Sequence, residues 1–253
     1  MFPHLTEDQR ITFPDPREAS REGLLGQGAN LSPGVLLSAY ETGIFPWFGP
    51  GEPILWWSPD PRFVLFPHEL HVPRSLKRQL RKNPFTYSWD TAFDRVIDYC
   101  SSLPRPGQDG TWITPEMVEA YRQLHRLGYA HSLEVWRGQE LAGGLYGISL
   151  GRIFFGESMF SLESGASKAA FVVLTMTLEA QGFPLVDCQV HTPHLEALGA
   201  REIPRADFLD VLGLALGEET FRGSWQGRAV TDPLEREMTG GSKGRPPEEP
   251  ALS

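Results

Sequence analysis

Two polar side chains stand two positions apart in an otherwise apolar run at residues 185–190, LVDCQV. If this run is a β-strand, successive side chains point to opposite faces, so Asp187 and Gln189 share one face. The opposite face then carries Val186, Cys188 and Val190. A carboxylate and a carboxamide on a buried face need partners, because an unpaired buried charge is costly. The pair either ties down a neighbouring loop or forms a site that accepts a proton and orients a polar substrate.

A second carboxylate lies upstream, in the segment GESMFS at residues 156–161. Met159 and Phe160 follow Glu157 there, so the sequence predicts a carboxylate beside two large apolar side chains. A carboxylate in apolar surroundings is typical of groups that handle protons or bind cations. Glu157 therefore joins Asp187 and Gln189 as a candidate catalytic residue.

Three predicted elements must bring these residues together. Residues 145–148 and 152–155 are apolar or aromatic runs on either side of Ser-Leu-Gly, which predicts a β-hairpin with Glu157 at its exit. Residues 164–181 are predicted as a helix that stops at the following glycine. The apolar positions of this helix recur at i, i+3 and i+7 and are Phe171, Leu174 and Leu178. The strand at 185–190 comes next along the chain.

Residues 74–82 are predicted as a helix with one strongly basic face. The basic residues recur at i, i+3, i+4, i+7 and i+8 and are Arg74, Lys77, Arg78, Arg81 and Lys82. Leu76 and Leu80 fall towards the opposite face and would dock the helix on the protein. A charge cluster is often only a solvated face, but like charges at these spacings repel one another. The pattern therefore favours a bound anion.

The composition excludes several classes of protein. The chain has 253 residues, of which 40% are hydrophobic and 22% charged, as expected for a soluble globular protein. Its two cysteines provide no disulfide framework, which favours a cytoplasmic location. The N-terminal residues contain no signal-like apolar stretch, and the longest apolar run, 169–174, is too short to span a bilayer. A net charge of −9 argues against a generic nucleic-acid binder, so any contact with phosphates must use a local basic patch.

The first 62 residues are rich in proline, glycine and aromatic residues. Ser32 as N-cap and Pro33 at the first helical position predict a short helix that ends at Gly43. Its apolar face is formed by Leu36, Leu37 and Tyr40. The two tryptophans at 56–57 are interpreted as core, whereas proline beside Trp47 makes a rigid platform on which a nucleotide base can stack.

The remaining elements complete a mixed helix and strand pattern. A helix is predicted from Thr114 to residue 127, with Met117, Tyr121 and Leu124 facing inward. His125 and His131 have no catalytic partner in the sequence and are interpreted as structural or surface residues. Further strands are predicted at 132–136, 140–148 and 201–203, and further helices at 194–198 and 207–216.

Several motifs occur in a fixed order along the chain. They are GIFPWF (43–48), ILWWSPDPR (54–62), TWIT (111–114), GESMFS (156–161), ASKAA (166–170), DCQ (187–189) and LGA (198–200). Together they resemble the leucyl/phenylalanyl-tRNA–protein transferases, over residues from about 13 to about 208. The resemblance implies the transfer of Leu or Phe, with Met expected as a further donor, from aminoacyl-tRNA to the N-terminal Arg or Lys of a protein. The acceptor is thereby marked for degradation, with no cofactor beyond the tRNA co-substrate and no metal.

The resemblance also implies roles for particular residues. The pocket for the transferred side chain is expected to contain Leu145, Phe154, Met159, Phe171 and Leu174. Trp47 and Trp112 are expected near the terminal adenosine, and the basic residues Arg74, Lys77, Arg78, Arg81 and Lys82 near tRNA phosphates.

The transfer reaction also suggests a role for each of the three polar residues. Asp187 is predicted to accept the proton of the attacking amine, directly or through Gln189, which orients the amine or the ester carbonyl. Glu157 is predicted to hold the cationic acceptor.

The expected fold is α/β (α+β), with three regions. Residues 1–61 are predicted as a small aromatic-rich domain, 62–231 as a catalytic domain resembling the acyl-CoA N-acetyltransferase (GNAT) fold, and 232–253 as a disordered tail. The protein is expected to be a monomer that binds no membrane.

Two alternative functions remain open on the sequence alone. An N-acetyltransferase using acetyl-CoA would need a pyrophosphate-binding loop before the central helix, where Ser-Leu-Glu-Ser-Gly-Ala stands at 161–166 instead. A non-catalytic tRNA-binding adaptor would need only the basic face and the aromatic residues.

Overall fold

The computed structural model describes residues 2–20, 22–82, 85–103 and 112–234. The strands are β1 (Leu24–Gln27), β2 (Phe45–Pro46), β3 (Leu55–Trp57), β4 (Arg62–Leu65), β5 (Thr86–Trp89), β6 (Ala130–Arg137), β7 (Glu140–Leu150), β8 (Ile153–Ser161), β9 (Leu185–Gln189) and β10 (Arg201–Ile203). The α-helices are α1 (Pro33–Glu41), α2 (Arg74–Lys82), α3 (Phe93–Ser102), α4 (Pro115–Arg126), α5 (Ala166–Ala180), α6 (Pro193–Glu196) and α7 (Arg205–Leu216). Most of the predicted tail, from residue 235 onward, lies outside the described residues.

The strands form two sheets. The small sheet has the order β1-β3-β2 and is antiparallel. The large sheet has seven strands in the order β10-β4-β9-β8-β7-β6-β5. Its neighbouring strands are antiparallel except β8 and β9, which run parallel because α5 crosses between them. The strands that carry Glu157 and Asp187 are therefore direct neighbours at the centre of the sheet.

Apolar side chains form a core on each face of the large sheet. The first core includes buried residues of α1, α3, α4 and α7, such as Tyr40, Val96, Tyr121 and Phe208. The second core includes buried residues of α2 and α5 and is closed by the C-terminal segment, residues 218–234. Trp225 of that segment is fully buried, with its ring 3.9 Å from the ring of His131. The sheet is thus covered on both faces.

The mixed α/β architecture predicted from the sequence is confirmed. The hairpin is formed by β7 and β8, and the helix predicted at 164–181 is α5. The basic helix is α2, with Leu76 and Leu80 buried as predicted. The likeness to the GNAT fold and the division into domains stay predictions, although the small sheet ends at Trp57 and the large sheet begins at Arg62.

The structure corrects some details of the sequence interpretation. Ser32 precedes α1 but makes no capping hydrogen bond, because its hydroxyl instead accepts from the backbone N–H of Leu5 at 3.0 Å. Strand β5 and helix α3 were not predicted. Val190 does not share a face with Val186 and Cys188, since it packs on the first core and they pack on the second.

Candidate active site

A cavity of about 600 Å³ opens between the two cores. One wall comes from the first core and its aromatic neighbours, including Trp47, Trp112 and Phe160. The other wall comes from the second core, including Leu145 and Phe171. Among the described residues Glu157 is the only carboxylate that lines the cavity, and Gln189 lines it as well. The cavity is mainly apolar with few polar groups, as is typical of sites for small organic ligands.

Irregular backbone in the middle of β8 and at the end of β9 turns Glu157 and Gln189 towards each other. The register of β7 with β8 shifts between Gly156 and Ser158, so Glu157 is the extra residue of a bulge. Gln189 has a φ of 64°, in the left-handed region that residues other than glycine seldom adopt. The Nε2 atom of Gln189 donates to Oε1 of Glu157 at 2.9 Å. The same turn at Gln189 sends Val190 to the first core, which explains the broken alternation.

Two tyrosines hold Glu157 from behind. The hydroxyl of Tyr40 donates to Oε1 at 2.7 Å, and the hydroxyl of Tyr121 donates to Oε2 at 2.8 Å. The two hydroxyl oxygens also lie 2.6 Å apart. Both tyrosines are fully buried in the first core. The carboxyl group is therefore fixed by donors on both oxygens while it faces the cavity.

Burial raises the pKa of Glu157 to about 7. The hydrogen bonds from Tyr40, Tyr121 and Gln189 lower the pKa, and the negative charge of Asp187 raises it. Desolvation is the largest of these effects. A carboxyl group with this pKa exchanges protons near neutral pH, as a general acid or base requires.

Asp187 is paired with a buried arginine rather than exposed to the cavity. Arg62 donates from Nε to Oδ1 at 2.8 Å and from Nη2 to Oδ2 at 2.6 Å, which is a bidentate pair. The guanidinium group lies between the rings of Phe45 and Phe208, with its carbon 4.8 and 4.5 Å from their centroids. Both side chains of the ion pair are at most 1% exposed. Arg62 therefore neutralises Asp187 inside the protein.

The two predicted roles of Asp187 differ in how well they fit this geometry. The carboxylate does not line the cavity, so a direct proton transfer from a substrate in the cavity to Asp187 does not fit the geometry. Its Oδ1 atom accepts a hydrogen bond from the backbone N–H of Gln189 at 2.9 Å. That contact fixes the turn at Gln189. Action through Gln189 remains the prediction that fits.

Four of the five residues predicted for the side-chain pocket line the cavity. They are Leu145, Met159, Phe171 and Leu174. Phe154 does not line it, which corrects the prediction. Strand alternation turns Phe154 into the second core, where it is fully buried with its ring 6.2 Å from that of Trp225.

Both tryptophans predicted near an adenosine line the cavity. Trp47 is 39% exposed, an unusual state for so large an apolar side chain. Its ring lies 5.8 Å from that of Trp57, whose Nε1 donates to the carbonyl of Trp47 at 2.7 Å. Trp112 is half-buried. An exposed tryptophan held in this way gives a base a preformed surface on which to stack.

The basic residues of α2 lie outside the cavity on the protein surface. Arg74, Arg78, Arg81 and Lys82 are exposed, and Lys77 is half-buried. The side-chain amide of Gln79 donates to the carbonyl of Ser164, immediately before α5. Ser167 in the first turn of α5 lines the cavity. The segment at the start of α5 therefore contacts α2 through Ser164 and the cavity through Ser167.

Sequence reasoning missed Tyr40, Tyr121, Arg62 and His194 as parts of the site. The tyrosines were interpreted as core, yet a buried phenol hydroxyl needs a hydrogen-bond partner, and that was the available signal. Arg62 begins a buried strand, where a cation needs a carboxylate. His194 lines the cavity, and its buried Nε2 atom has no hydrogen-bond partner among the residues that the structure describes. His125 and His131 do not line the cavity, in agreement with their interpretation as structural or surface residues.

Within the described residues no group of His, Cys, Asp and Glu has an arrangement able to hold a metal ion. The same part of the chain contains no helix both long and apolar enough to cross a bilayer.

Comparison with known proteins gives a consistent result over most of the chain. The family model described as leucyl/phenylalanyl-tRNA protein transferase matches residues 64–213, and the model of the N-terminal domain of that transferase matches residues 29–60. A leucyl/phenylalanyl-tRNA–protein transferase of Anaeromyxobacter dehalogenans (strain 2CP-C) is 59% identical over 221 residues, which are 87% of this chain and 95% of the relative.

Two further relatives carry the same name. The protein of Syntrophus aciditrophicus (strain SB) is 57% identical over 85% of this chain and 90% of its own length. The protein of Myxococcus xanthus (strain DK1622) is 52% identical over 90% of this chain and 98% of its own length. The chain therefore belongs to the leucyl/phenylalanyl-tRNA–protein transferase family.

Proposed function

We propose that this protein transfers Leu or Phe, and also Met, from aminoacyl-tRNA to the N-terminal Arg or Lys of acceptor proteins. The added residue marks the acceptor for degradation as an N-degron. The observation that carries this proposal is a single cavity with an apolar pocket, two tryptophans and a buried carboxyl–carboxamide pair. These features match an apolar side chain, a terminal adenosine and a cationic amine, respectively.

The donor side is supported by the composition of the pocket. Leu145, Met159, Phe171 and Leu174 offer apolar contacts to Leu, Phe or Met. Trp47 and Trp112 offer faces on which the terminal adenine can stack. The exposed basic face of α2 offers positive charge to the phosphates of the acceptor stem, so an acidic protein can still bind tRNA.

The acceptor side is supported by Glu157 and Gln189. A carboxylate inside the cavity attracts an N-terminal ammonium or a cationic side chain, and the carboxamide can orient the amine or the ester carbonyl. Asp187 acts on the substrate only through Gln189, by fixing its backbone turn. Arg62 keeps that turn rigid by holding Asp187.

The chemistry asks little beyond orientation, because an aminoacyl ester is already activated. The amine nitrogen attacks the ester carbonyl, a C–N bond forms, and the C–O bond to the ribose breaks. The neutral amine gives up one proton, the leaving ribose oxygen takes one up, and the nitrogen keeps its other hydrogen in the amide product. An α-amino group has a pKa of about 8, so an appreciable fraction is neutral at neutral pH. Holding the two substrates together then supplies a large part of the rate.

Transfer of radiolabelled Leu or Phe from charged tRNA to synthetic peptides tests this function. We expect label in peptides that begin with Arg or Lys and none in matched peptides that begin with Asp or carry an acetylated N-terminus. Acetyl-CoA in place of charged tRNA should give no product. Tight binding of charged tRNA without transfer by the folded protein would instead indicate an adaptor.

The same proposal places the protein in the cytoplasm, where charged tRNA is found. Both cysteines are buried and neither is in a disulfide, as expected in a reducing compartment. We propose that it acts there as a monomer.

A further inference from the structure

We infer that Glu157 takes the proton from the attacking amine, and that Tyr40 and Tyr121 are positioning residues which keep this carboxylate ready to accept it. The inference rests on the proposed transfer function and assigns its proton acceptor. It moves that role from Asp187, where the sequence placed it, to the carboxylate that lines the cavity.

Glu157 and Asp187 differ in their access to the cavity. Glu157 lines the cavity, whereas Asp187 is sealed behind it with both oxygens occupied by Arg62. A base must come within hydrogen-bond reach of the proton that it removes. Among the carboxylates of the described residues, Glu157 alone meets this condition for a substrate in the cavity.

The number of protons in the cluster also supports this role of Glu157. Tyr40, Tyr121 and Glu157 form a closed ring of three oxygen–oxygen contacts, at 2.6, 2.7 and 2.8 Å. With Glu157 ionised, the two phenol protons fill the two contacts to the carboxylate, and the contact between the phenols has no proton. One further proton on Oε2 fills all three contacts once the hydroxyl groups rotate. Oε2 then donates to Tyr121, Tyr121 to Tyr40, and Tyr40 to Oε1.

Each oxygen of the carboxyl group therefore keeps a hydrogen bond with a tyrosine in both protonation states, and only the contact between the two tyrosines gains its proton on protonation. In the ionised state it supplies two charge-assisted donors, which are stronger than neutral hydrogen bonds. In the protonated state it supplies three neutral hydrogen bonds. When the carboxyl group gains a proton, only the hydroxyl hydrogens of the two tyrosines have to rotate, while the heavy atoms stay in place.

The charges around Glu157 make this exchange feasible near neutral pH. Facing it are Tyr40 from α1, Tyr121 from α4 and Gln189 from β9, with Asp187 behind and paired to Arg62 of β4. Tyr146 of β7 lies next in the cluster, with its ring 5.5 Å from that of Tyr121. The pKa of Glu157, about 7, lies close to that of an α-amino group, about 8. The proton can thus pass from ammonium to carboxylate at little cost.

The acceptor enters as an ammonium ion and gives one proton to ionised Glu157, which leaves a neutral amine. The amine attacks the ester carbonyl and forms the C–N bond. The remaining excess proton on nitrogen goes to the ribose oxygen as the C–O bond breaks. Glu157 then returns its proton to solvent when the products leave.

The pH dependence of kcat/KM for the acceptor peptide tests the inference. In the wild type we expect activity to fall as the pH drops below about 7, because protonated Glu157 cannot accept a proton. Tyr40→Phe and Tyr121→Phe each remove a donor that favours the ionised carboxylate, so the midpoint of this acidic limb should move up by about one pH unit. The kcat of Glu157→Gln should be lower by a factor of about 10²–10⁴. The acidic limb that Glu157 causes in the pH profile of kcat/KM should be absent from this variant.

Tyr87→Phe is the matched control, because Tyr87 lies on β5 and does not line the cavity. Its profile should match that of the wild type. Infrared difference spectra over the same pH range give a readout independent of activity. The band of a protonated carboxyl should appear as the pH falls, be missing in Glu157→Gln, and persist to higher pH in both Tyr→Phe variants.

The outcomes separate this inference from the proposed function. A folded wild type that transfers nothing contradicts both. A wild type that transfers normally, with the same acidic limb in Glu157→Gln or in both Tyr→Phe variants, contradicts the inference alone. Unchanged infrared titration in the two Tyr→Phe variants would show that the tyrosines only fill space.

Discussion

Arg62 and Asp187 form an almost fully buried ion pair, and it lies directly behind the candidate site. Removing one partner of such a pair leaves an uncompensated buried charge. Asp187→Ala should therefore lower the free energy of unfolding by about 3–5 kcal/mol. Gln189→Ala leaves no buried charge unpaired and should cost much less. Urea denaturation of the two variants measures the difference.

A double variant separates stability from function at the same position. Arg62→Met with Asp187→Leu replaces both charges by apolar groups and should regain much of the stability lost in Asp187→Ala. It should still transfer poorly, because Leu cannot accept the backbone N–H of Gln189 that fixes the turn. Equal stability of Asp187→Ala and the wild type would mean that the guanidinium group finds another partner.

Leu174 is the residue for which a change in donor preference is expected. It lines the cavity on α5, is 1% exposed, and is one of several apolar side chains there. A larger ring at this position shortens the pocket, so Leu174→Phe should shift preference from Phe towards Leu. The measurement is the ratio of kcat/KM for the two charged tRNAs. A change of about 10-fold is expected, since one or two methylenes are worth about 1–3 kcal/mol.

Leu178 provides the control for that variant, because it lies one turn further along α5 and is buried without lining the cavity. Leu178→Met should leave the ratio of the two donors unchanged. An unchanged ratio in Leu174→Phe as well would assign residue 174 to the core.

Helix α2 is expected to bind the phosphates of tRNA. Replacing Lys77, Arg78 and Arg81 by Ala should weaken tRNA binding and reduce the slope of log K against log salt by roughly 0.7 to 0.9 per lost contact. Transfer from a minimal aminoacyl-adenosine, which has no stem phosphates, should barely change. Filter binding over a range of salt concentrations gives the slope.

Arg122 and Arg126 of α4 provide a matched control for α2. Both are ion-paired to acidic side chains, Arg122 to Asp94 and Asp98 and Arg126 to Glu119. Their replacement by Ala should leave the salt slope unchanged. If the α2 variant lost transfer from both donors equally, the basic helix would have a structural role instead.

The buried contact between His131 of β6 and Trp225 of the C-terminal segment is expected to make folding stability depend on pH. Burial lowers the pKa of His131, although its hydrogen bond with Asp90 at 2.9 Å opposes this. The imidazole is stacked on Trp225, and its burial disfavours the charged form in the folded state. Because the pKa of the folded state lies below that of the unfolded state, stability is present above pH 6.5 or so and is lost as the pH falls.

Asp90 also contributes stability that is lost as the pH falls, but at a lower pH than His131. Burial raises the pKa of Asp90, but its hydrogen bonds with His131, Trp225 and Ser132 bring the net pKa below the ordinary value. His131→Gln should therefore lose less stability than the wild type between pH 7.5 and pH 5.5, as measured by urea denaturation. Identical pH dependence in the two proteins would exclude His131 as the titrating group.

The elements of this protein were largely predictable from local pattern. The β7–β8 hairpin, α5 and α2 have strong periodicity and clear stop signals, and the structure contains all three. Strand β5 and helix α3 were missed: β5 has only four residues, whereas the buried positions of α3 recur at i, i+3, i+4 and i+7, a helical signal that was passed over. The turn at Gln189 was missed because strand alternation gives no warning of a positive φ.

The arrangement of the candidate site depends on contacts between distant parts of the chain. Tyr40, Tyr121 and Glu157 come from α1, α4 and β8, separated by up to 117 positions. No local pattern reports such a meeting. The polar residues of the site were nevertheless found in part, because Glu157 and Gln189 interrupt apolar runs. Their partners were not, because tyrosine also suits an apolar core.

In the molecule as a whole, the cavity lies where the aromatic N-terminal residues meet the large sheet. Phe45, Pro46 and Trp47 line it from one side, and β8, α5 and the end of β9 line it from the other. Tyr40 reaches across from the N-terminal part to Glu157. The N-terminal region therefore completes the site as well as covering the sheet.

Single-turnover transfer of labelled Phe from charged tRNA to a peptide with N-terminal Arg, by the wild type and by Gln189→Ala, tests the central claim most directly. Gln189 lines the cavity, contacts Glu157 and carries no buried charge, so its loss should spare folding and tRNA binding. We predict transfer by the wild type and a rate at least about 10²-fold lower in the variant. Equal rates in the two proteins, or no transfer by a folded wild type that binds the charged tRNA, would contradict the assignment of this cavity as the transfer site.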